Sequence, residues 1–322
     1  MARVPNLDAL AAAVRTAPGL LAKRDLAVVN RLAGIDGDDA ALLAHGAGYI
    51  VVCGEAISPP FLLADPFGAG TAAVVTNVSD VRAMGARPLG VVDMLVSPDR
   101  AHAETVLDGI AWAAERLGVP VVGGHLTLGH APSLAASCTG FAKRPLRAAA
   151  ARPGDVLIAA FATDGRYMSD ARPYFSALDD RDPARLRTDG EALVEVAESG
   201  LCHAARDVSM PGIAGSLLQM IEGAGCGARL DLDRLPRPGD TPLDRWLITF
   251  PSFGFLLAAP PEHARVACAP FTRRGLVCVP CGEFDDSRVL RLAAGGAEAP
   301  VWDLAGAPLT GLGPAGSPSA GA

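Results

Sequence analysis

Lysine is nearly absent. Lys23 and Lys143 are the only two in a chain of 322 residues, and every other cation is an arginine. Any mechanism that needs a lysine has two candidates, and neither follows a glycine loop. No G-x-x-x-x-G-K-[ST] occurs, which excludes a P-loop nucleotide site. A Gly-x-Ser-x-Gly elbow and a His-Glu-x-x-His zinc signature are missing too. Gly223-Ala-Gly225-Cys-Gly227 contains a G-x-G, but it follows a helical pattern, so a helix stop explains it better than a dinucleotide turn. No apolar run approaches the ~20 residues that span a bilayer. Asn6, Asp8 and Arg15 interrupt the stretch where a signal peptide would be basic and then apolar. No Lys/Arg block exists either: 28 basic side chains face 35 acidic ones, for a net charge of −7. That balance argues against nucleic acid or an anionic membrane as partner.

The seven cysteines (53, 138, 202, 226, 268, 278 and 281) are an odd number in a large chain, which suits reduced thiols in a cytoplasm. Cys278-Val-Pro-Cys281 has no second pair to complete a zinc site and sits inside a strand-like run, so buried thiols are expected there.

Half the residues are hydrophobic and the mean hydropathy is +0.29, enough apolar material for a real core. The length suits two domains. In the first half, apolar periodicity predicts a helix over 7–14, a strand over 49–53, a buried small-residue helix over 70–84 and a strand over 89–96. A helix over 103–117 stopped by Gly118 follows, then strands over 119–122 and 134–142 flanking a glycine-containing loop. Arg152-Pro-Gly-Asp155 marks a turn between two cores, which places the domains at 1–148 and 149–304. The second half reads as strands over 156–160, 253–259, 276–279 and 288–292, with helices over 190–199, 212–221 and 261–271. Segments 165–188 and 232–245 read as loops. Residues 305–322, mostly Gly, Pro, Ser and Ala, read as a disordered tail. Strands and helices mix without a regular β-α-β count, so both domains are expected to be α+β.

The chemistry-bearing groups cluster in the first half. Asp36-Gly-Asp38-Asp39 puts adjacent carboxylates in a turn, Glu55 follows a strand, and Asn77-Val-Ser79-Asp80 lies in the buried helix. Gly123-Gly124-His125 closes another strand. Adjacent carboxylates repel, and keeping both ionised in a partly buried place calls for a cation. Mg²⁺ held by one or two carboxylates plus substrate phosphates fits acids scattered at element ends. The alternatives are a solvated turn for Asp38-Asp39 and a zinc pair at His125 and His130.

The order of these motifs is informative. Gly-Asp-Asp-Ala-Ala (37–41), Glu55, Asn-Val-Ser-Asp-Val-Arg-Ala-Met-Gly-Ala-Arg-Pro (77–88) and Val-Val-Gly-Gly-His (121–125) together resemble the AIR synthase (PurM-like) superfamily. Arg-Asp-Val-Ser-Met-Pro-Gly (206–212), Gly225 to Asp233 and Pro-Ser-Phe-Gly-Phe (251–255) look like its C-terminal domain. The resemblance covers about residues 30–292. It implies a two-domain α+β PurM-like fold, a homodimer through the N-terminal sheet, and ATP with Mg²⁺ as cofactors in a cleft. By match, Asp38, Asp39, Glu55 and Asp80 are the implied metal ligands, and Asn77, Ser79, Gly123 and Gly124 contact the cofactor. Asp80, His125 and Asp207, an acid at the domain cleft, are the implied catalytic residues. The activity implied is Mg-ATP-dependent phosphoryl transfer to, or phosphate activation of, a small metabolite. The chain departs from thiamine-monophosphate kinase at His125 and Met210, where that enzyme carries acids, and from selenophosphate synthetase in having no cysteine before Cys53. These departures motivate an alternative: a non-catalytic nucleotide-binding or structural relative.

Overall fold

The structure is a computed structural model that describes residues 6–32, 37–169 and 173–313. Contacts divide the chain into two compact units: one of Asp39–Pro145 with Arg181–Glu198, the other of Met1–Asp38, Leu146–Asp180 and Ser199–Ala322. The sequence boundary at 148/149 misses two exchanges, because residues up to 38 join the second unit and 181–198 join the first.

The first unit is built on a five-stranded sheet in the order Ala41–His45, Gly48–Ile57, Ser133–Ala142, Arg87–Ser97, Val121–Leu128. All neighbours are antiparallel except the last pair, which is parallel. Two helices, Pro66–Ala83 and Arg100–Leu117, pack on one face. Both have definite ends. Asp65 caps the first by accepting from Gly68 N (2.9 Å), with Pro66 at its first position. Asp99 caps the second and Gly118 stops it in the left-handed region at φ 68°. Thirteen of the eighteen residues of Pro66–Ala83 are buried, so its small residues serve close packing on every side.

Residues 181–188 looked like part of an Arg/Asp/Pro loop, yet they supply most of the helix Pro183–Asp189; Glu191–Glu198 is the helix expected over 190–199. The charges of this segment explain the docking. Arg181 Nε donates to Asp189 Oδ2 at 2.6 Å with both side chains buried, and the buried Arg82 lies beside the same carboxylate. Arg87 spans Glu191 and Glu198, each at 3.0 Å.

The second unit carries a seven-stranded sheet in the order Ala297–Asp303, Val289–Ala294, Gly227–Asp231, Val277–Asp285, Val156–Phe161, Gly254–Ala259, Ala204–Asp207. The helices Leu7–Arg15 and Gly212–Ala224 contribute Leu10, Val14, Leu217 and Ile221 to its core. The sequence helix over 261–271 is instead two short pieces, Ala264–Ala267 and Ala269–Thr272, broken where Pro270 withholds its amide. All seven cysteines are buried free thiols, Cys278 and Cys281 on the strand Val277–Asp285 among them. Residues 305–322 read from composition as a tail, yet Leu309, Thr310 and Gly311 donate to Glu222, while 314–322 lie outside the described residues.

Candidate functional site

The helix Pro66–Ala83 carries the polar motif into the interior of its unit. Asn77 is fully buried, and Ser79, Asp80 and Arg82 nearly so. Burying amide and carboxylate groups costs several kcal/mol unless partners compensate. Asn77 Nδ2 donates to Ala73 O (2.8 Å), and its carbonyl oxygen accepts from the Cys53 thiol (3.3 Å). The Asn77 amide is thereby tied to its own helix and to the strand Gly48–Ile57.

Asp80 faces the same strand. Its negative charge, after burial, is the main influence pushing the Cys53 thiol upward, and Glu55 adds to it. Burial pushes the Cys138 thiol up to about 12, with Asp80 again contributing. Burial and the neighbouring carboxylate thus both disfavour a thiolate at these two positions. Glu55 lies two residues beyond Cys53 and so shares its face, within the strand rather than after it.

Asp39 closes the set. Its carboxylate oxygen comes within 4.8 Å of one on Asp80. Asp39 is half-buried at the entrance to the strand Ala41–His45, while Asp80 is 6% exposed. Two anionic oxygens this close, with no nitrogen or thiolate donor in the group, form a hard-oxygen set suited to Mg²⁺ rather than to zinc.

Two other sequence-predicted residues, Asp38 and Asp207, belong to the second unit. The Asp38 carboxylate accepts from Ala148 N (3.2 Å) and lies 3.9 Å from Arg147 Nε, so it serves the second unit. Asp36 falls outside the described residues. Asp207 ends the strand Ala204–Asp207 of the second unit, paired with Phe255 and buried.

Gly123, Gly124 and His125 do not form a loop; they lie inside the edge strand Val121–Leu128, which is exposed along its length. That strand is three steps across the sheet from Gly48–Ile57, roughly 14 Å at the usual strand spacing. His125 Nε2 sits 3.2 Å from Thr127 Oγ1. Among the described residues neither His125 nor His130 belongs to a group of three or more close metal-ligand atoms.

Sequence reasoning missed Asp93. It is buried on Arg87–Ser97 directly opposite Gly124, and a Cβ at Gly124 would stand 2.1 Å from its Oδ1. Burial raises the Asp93 carboxyl above its ordinary value. The second glycine of Gly-Gly-His thus makes room for a carboxylate. The available signal was a single acid inside the apolar run Val91 to Val96.

Two family models match the chain, divided at one point between residues 142 and 152. Residues 37–142 match the N-terminal domain of the AIR synthase related proteins, and 152–294 match their C-terminal domain. The chain belongs to the AIR synthase related family. An uncharacterized protein of Synechocystis sp. is 35% identical over 277 residues, 86% of each chain. A selenide, water dikinase of Myxococcus xanthus is 33% identical over 64% of this chain and 61% of its own. Among solved structures, T. maritima PurL complexed with ATP superposes with a TM-score of 0.72 at 24% identity, over 84% of this chain and 46% of that one. This family member thus spans about half the length of the PurL chains it matches. AaThiL complexed with AMPPCP and TMP gives a TM-score of 0.66 at 18% identity, over 85% and 93% of the two chains. These likenesses establish the two-domain α+β PurM-like fold.

Proposed function

We propose that this AIR synthase related protein is a Mg-ATP-dependent enzyme that phosphorylates a small metabolite or activates one through a phosphate. The observation that carries the reading is the carboxylate pair Asp39 and Asp80, within 4.8 Å on a strand entrance and a buried helix. Support comes from relatives described as a selenide, water dikinase and as PurL complexed with ATP. Asp39 and Asp80 would hold the Mg²⁺, with Glu55 on the same side of the sheet. The ion would neutralise charge on the nucleotide phosphates, the usual need in phosphoryl transfer. The protein's share is to keep the carboxylates fixed and ionised on rigid elements. Ser79, Gly123, Gly124 and His125 are proposed nucleotide contacts, and Asp207 a further acid of the reaction, on the sequence resemblance alone.

The test is ATP turnover with Mg²⁺ across a panel of small hydroxyl, amide and phosphate-bearing metabolites. Stimulation by a member of the panel, lost without Mg²⁺, is expected. A chain that binds Mg-ATP but is stimulated by none supports the second reading, a non-catalytic nucleotide-binding relative. His125 and the half-exposed Met210 stand where thiamine-monophosphate kinases carry acids, which is what favours that reading.

A homodimer belongs to the same proposal. The sheet of the first unit leaves Leu89, Met94, Val122, Leu126 and Leu128 exposed, and the edge of Val121–Leu128 pairs with no further strand among the described residues. An apolar edge of this kind needs cover. Met94→Asp is expected to convert a dimer into a monomer in sedimentation velocity; a wild-type monomer would contradict the assignment. No described helix is long and apolar enough to cross a membrane. The buried free thiols suit a reducing compartment, and the proposed location is the cytoplasm.

A further inference from the structure

Glu222 occupies an unusual place for a carboxylate. It is 3% exposed and sits in the last turn of the helix Gly212–Ala224, where both desolvation and the helix dipole oppose a negative charge. The compensation comes from one short segment near the C-terminus. Leu309 N (2.8 Å) and Gly311 N (3.1 Å) donate to Oε1, while Thr310 N (2.9 Å) and Thr310 Oγ1 (2.6 Å) donate to Oε2. Thr310 Oγ1 in turn accepts from Leu312 N at 3.1 Å. A buried carboxylate that takes four donors from three consecutive residues fixes that segment as a strap.

The strap ends on the turn that leads into the acid pair. A Cβ placed on Gly37 would stand 2.8 Å from Leu312 Cβ and 3.0 Å from its carbonyl oxygen, so Leu312 lies directly on the Gly37 backbone. Gly37 has φ 71°, a conformation that glycine adopts freely. Arg206 Nη1 donates to Gly37 O at 3.0 Å, and Ala148 N holds the next side chain, Asp38. Asp39 follows one peptide bond later, so a shift of this turn is passed to its carboxylate through the chain.

We infer that the strap of residues 309–312, locked by Glu222, is a positioning device for the metal-binding acid Asp39, with Glu222 and Leu312 as its positioning residues. The inference rests on the proposed Mg²⁺ role of Asp39 and Asp80. The strap thus links the last turn of the helix Gly212–Ala224 to the turn that precedes Asp39 in the chain.

The test uses the full chain and two variants, Leu312→Gly and Glu222→Gln. Hydrogen exchange is followed in the peptide spanning residues 37–45, and Mn²⁺ affinity is measured by electron paramagnetic resonance in the presence of ATP. Leu312→Gly removes the Cβ that lies on Gly37 but leaves the Glu222 hydrogen bonds in place, and is expected to fold. It should exchange the 37–41 amides at least tenfold faster and bind Mn²⁺ at least fivefold more weakly. Glu222→Gln, if folded, should do the same to a greater degree. A folded Leu312→Gly protein with wild-type Mn²⁺ affinity overturns the inference, whatever its melting temperature, since a purely structural strap would move only the latter. Wild-type protein that binds no Mn²⁺ with ATP overturns the proposed role of the acid pair, and the inference falls with it. That result differs from the strap's own failure, in which wild type binds and the variants match it.

Discussion

Replacing Asp80 with asparagine is expected to weaken Mg²⁺-dependent nucleotide binding at least a hundredfold while leaving the metal-free protein as stable as wild type, or more so. The two effects have one cause. Carboxylates with oxygens within 4.8 Å repel, on the order of 3 kcal/mol at an effective dielectric near 20, and an asparagine of the same shape removes that repulsion. The same change removes one of the two carboxylates proposed to hold a hard cation. An ordinary buried structural acid behaves otherwise, because losing its charge-assisted hydrogen bonds costs stability and leaves ligand binding alone. Melting temperatures with and without Mg²⁺ and ATP separate the cases. A lowered metal-free melting temperature with the Mg-ATP shift intact would show Asp80 to be structural.

Gly109→Ala should lower the melting temperature by roughly 2–12 °C, since overpacking of this kind costs about 1–3 kcal/mol and each kcal/mol moves a chain this large by about 2–4 °C. The helices Pro66–Ala83 and Arg100–Leu117 cross where Gly109 meets Phe67 and Gly70 meets Val106. A Cβ at Gly109 would stand 2.1 Å from Phe67 O, and one at Gly70 would stand 2.1 Å from Val106 O. Both obstacles are backbone, so the helices must move apart. Asp80 rides on the first of them, and Mg²⁺ affinity should fall together with stability. Thermal unfolding and Mn²⁺ titration of the single variants check this; unchanged melting at both positions would mean that the crossing is looser than described.

The sequence showed the acid-bearing helix plainly because its signals are local. The small residues of 70–84 and the Asn77-Val-Ser-Asp80 motif both speak within one element, although its start at Pro66 lies four residues before the expected one. Asp38 and Asp39 looked alike as neighbours in a turn, and only tertiary contacts separate them: Ala148 N claims the first, and Asp80 stands beside the second. Gly123-Gly124 read as a loop because glycines weaken a strand pattern. Their place in an edge strand depends on Asp93 lying opposite, which is a matter of register. The 181–188 stretch and the strap were hidden for a related reason. Arg82, Arg181 and Asp189 make a polar stretch that looks like surface until they are paired and buried, and a Gly/Pro-rich segment looks disordered until Glu222 is brought to its amides.

The most direct test of the central claim is a thermal-shift titration of the full chain with ATP, with and without Mg²⁺. A ligand that binds only the folded state adds about 2.7 kcal/mol at 100 times its dissociation constant, a shift of several degrees. The account predicts that rise with Mg²⁺ present and its loss in chelator. No shift with ATP under either condition would contradict the assignment of Asp39 and Asp80 as the metal ligands of a nucleotide site.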